Sequence, residues 1–401
     1  MSISKRKLRN IFKLTSIEGI KNANGSVHDT PWLPLAEKVK PNTPSAIIYC
    51  EGNFGKIDGK TANGLVRHSL GYRILSVVDS ERAGLDAGEL LDNKANGIPI
   101  VANIEEAITH AKSIPDYFIF GIAPSSGFLS ELDKSIILNA MSLKMNIVNG
   151  LHEFLTEDPL FLESSLKNNV RIIDTRKPKS KGELRTFNGG IHNVKCPRIA
   201  VMGTDCAIGK RTTATILANE LTKKGLRVAL IATGQTGIMQ GARYCVALDA
   251  VPSQFCAGEL ESVIVQAYEA ENPDIIIIEG QGALSHPAFS TSAFILRGSC
   301  PTGVILQHAP TRLYRSDFPV CPMPSISSEI NLIETFSNTC VIGLTLNHEG
   351  MSLSETRRAI DNYTTEFDLP VTDALSEPVE HLLHIVISAF PIIASKLGEK
   401  G

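Results

Sequence analysis

The stretch that most constrains the fold runs from Arg198 to Gly225, RIAVMGTDCAIGKRTTATILANELTKKG. Residues 199–203 read as a β run, Gly203 to Gly209 as a turn, and TTATILANELTKKG as a helix. Ile216, Leu217 and Leu221 share one face of that helix, and Gly225 supplies its stop. The unpaired N–H groups at the helix start, the amides of the turn and Lys210 then point one way, the usual physical solution for holding a pyrophosphate. The expected cradle comprises Gly203, Thr204, Asp205, Cys206, Ala207, Ile208, Gly209, Lys210, Arg211 and Thr212.

Two details set this turn apart from the phosphate loop of nucleotide hydrolases and kinases. Its spacing is G-x5-GK rather than G-x4-GK. Arg211 stands where those enzymes keep a Ser or Thr hydroxyl for Mg²⁺. Thr212 is one position late and faces about 100° further round the helix, which makes it a poor substitute. An arginine adds fixed charge and several donors beside the phosphates. The expectation is a pyrophosphate held without a metal, and phosphoryl transfer disfavoured.

Around this unit the chain alternates β-rich and helical runs, the pattern of βαβ units and a parallel sheet. SAIIYCEG, RILSVVDS, GIPIVANIEEAITHAKS, YFIFGIAPS, MNIVNGLHEFL and VRIIDTRK make a first domain over residues 44–176. A polar, basic linker is expected at 177–197. RIAVMG, RVALIATG, DIIIIEGQG, TGVILQHA, TCVIGLTLN and VTDAL supply the strands of a second domain, 198–401. The expected fold is thus α/β, a Rossmann-like domain followed by a P-loop domain. Residues 1–43 read as a basic, irregular arm, a solvated tail rather than an organelle transit peptide.

Composition narrows the partners. A formal charge of -3 and a pI near 6.4 give no global basic field for nucleic acid or anionic membrane, so small-molecule substrates are expected. No apolar run approaches the roughly 18 residues that span a bilayer. The eight cysteines are scattered without metal-type spacing, which fits free thiols in a reducing cytoplasm and no metal site. Large two-domain α/β proteins commonly self-associate, so a homo-oligomer is expected.

The strand DIIIIEGQGALSHPAF ends in Glu279, at the sheet edge where ligands gather; it could hold a metal, act as base or cap a loop, and beside phosphates without a cation a base or orienting role is expected. His286 lies in the loop beyond, and His308 ends the strand GVILQHAPTR. Either can reach the same crevice. Arg297, Arg312 and Arg315 follow in loops on that side, where a substrate carboxylate would need such a fork. Asn347 closes another strand, either to read a base edge or to cap its turn. In the first domain EGNFGKIDGKTANGLVRHS also carries GKT, but Phe54 stands where the phosphate loop wants its first glycine. That turn either holds an anion, with Arg67 and His68 nearby, or is a tight connection.

GTDCAIGK, TGQTG and IIIIEGQGA resemble the dethiobiotin synthetase branch of P-loop proteins. Arg211 replaces that family's threonine, and Ala232 its substrate-side lysine. A resemblance covering more of the chain joins CEGNFGKIDGKTANGLVRHS, GTDCAIGKRTTA, ATGQTGIM, EGQGALSHPAF and LNHEGMS. Together these look like the DgcN-like family, two-domain proteins that include D-glutamate N-acetyltransferases. The resemblance implies acetyl-CoA as donor, D-glutamate as acceptor and a place in D-amino-acid catabolism. Coenzyme A carries a pyrophosphate that must be held and never cleaved. His286 or Glu279 would then deprotonate the acceptor ammonium, and arginines among Arg297, Arg312 and Arg315, with His308 near them, would hold its carboxylates. An ATP- and Mg²⁺-dependent ligase or kinase and a nucleotide-sensing module that turns nothing over are the alternatives.

Overall fold

The computed structural model describes residues 43–124 and 126–398. The expected basic arm lies, but for Thr43, outside them. Two parallel sheets organise the chain, each fed by the βα alternation. In the first, β1 (Ser45–Tyr49), β2 (Arg73–Val78), β3 (Ile100–Val101), β4 (Tyr117–Phe120), β5 (Asn146–Asn149) and β6 (Ile172–Asp174) run in the order β3-β2-β1-β4-β5-β6. The chain steps outward from β1 and then crosses to β4, which opens a crevice at the carboxyl ends between them.

The second sheet holds β7 (Arg198–Gly203), β8 (Val228–Ala232), β9 (Tyr244–Cys245), β10 (Ile275–Glu279), β11 (Gly303–His308), β14 (Val341–Leu346) and β15 (Val371–Asp373), ordered β15-β14-β11-β7-β10-β8-β9. β7 is central, flanked by β10 and β11. The loops after these three strands therefore open at one edge. A two-stranded hairpin, β12 (Tyr314–Arg315) and β13 (Phe318–Pro322), projects from the same region. β9 and this hairpin are absent from the sequence expectation: β9 is two residues long, and Pro319 and Pro322 mask a strand.

Both sheets are buried on both faces, so neighbouring residues of one strand enter different cores. Ala200 and Met202 join Ile276 and Ile278 on one face of the second sheet, while Ile199 and Val201 join Ile275 and Ile277 on the other. Ile47 and Tyr49 are divided in the same way from Ala46 and Ile48 in the first. Continuous Ile and Val runs serve such strands because neither face offers solvent to a polar residue.

The domains share packing. Met239, at the end of the Gln235–Met239 helix of the second domain, is buried with Ala62, Leu65 and Val66 of the first. A Cβ added to Gly64 would lie 2.7 Å from Thr236 Cγ2, so glycine is what lets the two helices meet. The Leu70 N–H donates to the Gln240 carbonyl at 2.8 Å. Between the sheets, the segment after Arg176 is strapped to the Ser253–Glu271 helix. Buried Glu259 accepts from Lys179 and the Arg185 N–H, each at 2.8 Å, and buried Glu261 accepts from the N–H groups of Asn188 and Ile191. Among the described residues no single helix is long and apolar enough to cross a membrane.

Candidate functional site

The turn from Gly203 to Gly209 is shaped by what its carbonyls do. Arg315 donates to the Thr204 carbonyl, Lys210 to that of Asp205, and Arg312 to those of Cys206 and Ala207. With the oxygens drawn toward cations, the amides turn the other way. The consecutive main-chain N–H groups from Asp205 to Thr212 have no hydrogen-bond partner among the described residues. Such a run of open donors at the start of the Lys210–Lys223 helix is complementary to an anion. Gly209 takes φ +98°, and a Cβ on Gly203 would press on Ile208 and Lys210 at 2.8 Å. Burial pushes the Lys210 ammonium below its ordinary pKa, a cost that a bound anion would offset. Thr204 departs from the expected cradle. Its N–H is taken by the Gln307 carbonyl at 3.0 Å and its hydroxyl meets His308 Nδ1 at 2.9 Å, so it supports the loop from beneath.

Arg211 is not turned to the open amides. Its Nη1 donates to Glu279 Oε2 at 2.9 Å and its Nε to Gln240 Oε1. Both partners of this ion pair are largely buried, with 15% and 7% of their side chains exposed. A magnesium site at this loop would use a hydroxyl at 211 and an acid on the neighbouring strand; here the guanidinium takes the acid for itself. The GQTG stretch is its bed. A Cβ on Gly237 would strike the Arg211 guanidinium, and Gln240 passes the contact on by donating to the Gly64 carbonyl of the first domain at 2.6 Å. Glu279 also accepts from the Thr233 N–H at 3.1 Å. The guanidinium and the amide both hold Glu279 through Oε2, an arrangement that fits the orienting role considered for it.

His286 is no base as it stands. Its Nδ1 accepts from the N–H groups of Ala288 and Phe289, both at 3.2 Å, which puts the ring proton on Nε2. The ring is stacked on Phe289 at 4.6 Å, and its side chain is fully buried. Burial, reinforced by Arg315, lowers its pKa, so the imidazole is neutral and presents a donor. That donor faces Asp205 Oδ1 at 3.9 Å, and both atoms lack a hydrogen-bond partner among the described residues. Cys206 Sγ completes a trio with ligand atoms within 4.8 Å of one another. A metal there would need the Nε2 lone pair and hence a proton on Nδ1, opposed by two main-chain N–H groups. Burial also pushes the Cys206 thiol up to about 11, against the pull of Lys210, so it is not poised as a nucleophile.

The three arginines expected to hold substrate carboxylates do other work. Arg297 is exposed on the last turn of the Thr291–Ser299 helix, its guanidinium 4.9 Å from the Phe336 ring centroid and outside the crevice. Arg312 is committed to the cradle carbonyls, to Asp205 at 3.0 Å and to Glu349. Arg315, 5% exposed, spans Thr204 and Ser285. Asp205 earns its place through its side chain as well, accepting from Arg312 and from the Ser316 N–H at 2.9 Å. His308 is buried and held down to about 4 by desolvation, so it is neutral. Asn347 caps its turn, accepting the Glu349 N–H at 3.0 Å.

The glycine-rich turn of the first domain is not a second cradle. Asp79 accepts the N–H groups of Gly52 and Phe54, and Asn63 accepts that of Gly55. Carbonyls within the turn take those of Asn53, Lys56, Gly59 and Lys60. Arg67 pairs with Asp92 at 2.7 Å. The turn lines the crevice with Gly55, Lys56 and Ile57, Lys56 being paired with Glu81 at 3.3 Å, and with Lys60 at the head of the Lys60–Arg67 helix. The crevice measures about 1630 Å³ and is lined by both the cradle and this helix. Gln240, Gln307 and Lys60 were invisible as site residues in sequence; only the GKT around Lys60 gave any signal.

Comparison with known proteins accords with this architecture. Residues 80–178 match a family model described as a domain of unknown function (DUF1611_N), Rossmann-like domain, and residues 185–383 match its partner, DUF1611_C, P-loop domain. A protein of Pseudoalteromonas sp. named D-glutamate N-acetyltransferase is 32% identical over 310 residues, 75% of this chain and 90% of that one. A second of that name, from Tritonibacter scottomollicae, is 26% identical over 261 residues, 64% of this chain and 76% of that one. The crystal structure of a DUF1611 family protein from Anabaena variabilis superposes with a TM-score of 0.79 at 32% identity, covering 86% of this chain and 99% of that one. A Rossmann-like domain, a P-loop domain and this degree of likeness along both place the chain in the DUF1611 family.

Proposed function

We propose that the protein is an N-acetyltransferase that moves an acetyl group from acetyl-CoA to the amino group of D-glutamate, in the cytoplasm and without a metal. The names carried by two relatives support the reaction class and acceptor. The donor rests on one observation: open amides from Asp205 to Thr212 beside a buried Lys210, with Arg211 and Glu279 closed on each other. That combination suits a pyrophosphate that is gripped and left intact, as in a coenzyme A tail. The cradle and Lys210 bind the phosphates, and the rigid arginine clamps keep the amides aimed. The acceptor must lose a proton before its nitrogen lone pair attacks the thioester carbon. The C–S bond then breaks and the coenzyme leaves as a thiolate.

The rival is an ATP-dependent ligase or kinase, because the strand, turn, lysine and helix are shared with such enzymes. Incubating the protein with acetyl-CoA and a panel of D- and L-amino acids, while following free thiol, tests the proposal, with ATP and Mg²⁺ in a parallel set. Thiol release dependent on D-glutamate, unchanged by a chelator, is the expected result. Stoichiometric ADP with no acylated amine would refute it.

A further inference from the structure

Three charged side chains lining the crevice, Lys60, Lys94 and Asp317, have neither an ion pair nor a side-chain hydrogen bond among the described residues, and two of them, Lys60 and Asp317, act on Cys206 of the cradle. Lys60 projects from the first domain and half-buried Asp317 from the turn of the β12–β13 hairpin; both line the same cavity as Cys206. The neighbouring arginines are engaged: Arg211 by Glu279, Arg312 by Glu349, Arg67 by Asp92. On the Cys206 thiol Lys60 lowers the pKa and Asp317 raises it.

Both are firmly mounted. The turn before Lys60 is tied through its amides to Asp79 and Asn63, and a Cβ on Gly59 would strike the Asn53 carbonyl. The hairpin turn is pinned by the Ser316 N–H on Asp205 and by Arg315 on Thr204 and Ser285. An unpaired cation and an unpaired anion, carried by different domains on one cavity, are complementary to a ligand carrying both charges. A phosphate would gain from Lys60 but be repelled by Asp317. A zwitterion gains from each.

Building on the acyltransferase reading, we propose that Lys60 and Asp317 form the acceptor subsite for an α-amino acid, Lys60 taking a carboxylate and Asp317 the ammonium. Asp58 and Lys56 share an adjoining pocket of about 580 Å³ with Asp317, Lys56 being paired with Glu81 at 3.3 Å. The subsite draws on both domains, which gives the first domain a chemical role.

Calorimetric titration of the full chain with D-glutamate, in the presence of saturating coenzyme A, tests this without requiring turnover. Lys60→Met and Asp317→Asn should each weaken D-glutamate binding about ten-fold or more, loss of a charge-assisted contact, while coenzyme A affinity stays within about two-fold. Lys60→Arg should recover most of the affinity. Unchanged D-glutamate affinity in either variant overturns the proposal. So does a wild type that binds no amino acid, or a Lys60→Met variant that loses coenzyme A affinity instead, which would assign Lys60 to the donor phosphates. Wild type that binds D-glutamate yet transfers no acetyl group would sink the acyltransferase reading and leave the subsite standing.

Discussion

Replacing Arg211 with methionine tests the closed pair at the cradle. Methionine keeps much of the stem volume and removes the guanidinium. Glu279, with 7% of its side chain exposed, is then left with the Thr233 N–H at 3.1 Å as its side-chain donor. Removing one partner of a buried ion pair costs about 3–5 kcal/mol, because the remaining charge stays desolvated and uncompensated. For a domain of this size each kcal/mol lowers Tm by about 2–4 °C. Differential scanning calorimetry on the full chain should therefore show the transition falling by roughly 10 °C. The double variant Arg211→Met/Glu279→Gln should recover more than half of the loss, since glutamine still accepts from Thr233 and carries no charge. A single variant that melts within a degree or two of the parent would refute the reasoning. So would a double variant as unstable as the single, which would place the cost in the lost packing against Gln240.

Three further outcomes follow from the geometry. Lys210→Ala should weaken coenzyme A binding about ten-fold or more by isothermal titration, with little change in turnover at saturating coenzyme, because the lysine grips ground state and transition state alike. Gly237→Ala should displace Arg211 and lower Tm nearly as far as Arg211→Met, a correspondence that calorimetry of the two variants side by side would check. His308, held at about 4 by burial, takes up its proton later than the unfolded chain does as pH falls through 6.5. The unfolded state is then favoured between pH 6.5 and 4, by up to roughly 3 kcal/mol. His308→Gln should flatten the fall of Tm across that window while leaving the neutral-pH value close to the parent's.

The strand, turn and helix around Lys210 were legible because orphan helix amides follow from local order alone, and the strands because runs such as IIIIE have no other use. Arg211 was legible as a missing hydroxyl. Its partner was not, since Glu279 lies 68 residues on and meets it only across the sheet edge. The arginines were misjudged for a related reason. A guanidinium in a loop is an equally good fork for a substrate or for the loop's own carbonyls, and only the path of the turn decides. For His286, the protonated nitrogen depends on the N–H groups of Ala288 and Phe289, a matter of tenths of an ångström that no spacing encodes. The hairpin carrying Asp317 was hidden by its prolines.

Met239 and Gln240 bear on how this protein can be taken apart. One is a plug seated in the apolar interior of the other half, and the second holds the Arg211 guanidinium with one end and the Gly64 carbonyl with the other. Severed near residue 190 and expressed by itself, the carboxyl-terminal half would expose that plug to water and leave half of the arginine's tether slack. Fragment expression would yield a sticky, poorly set cradle, and grafting this loop onto a foreign scaffold would require bringing its neighbour along.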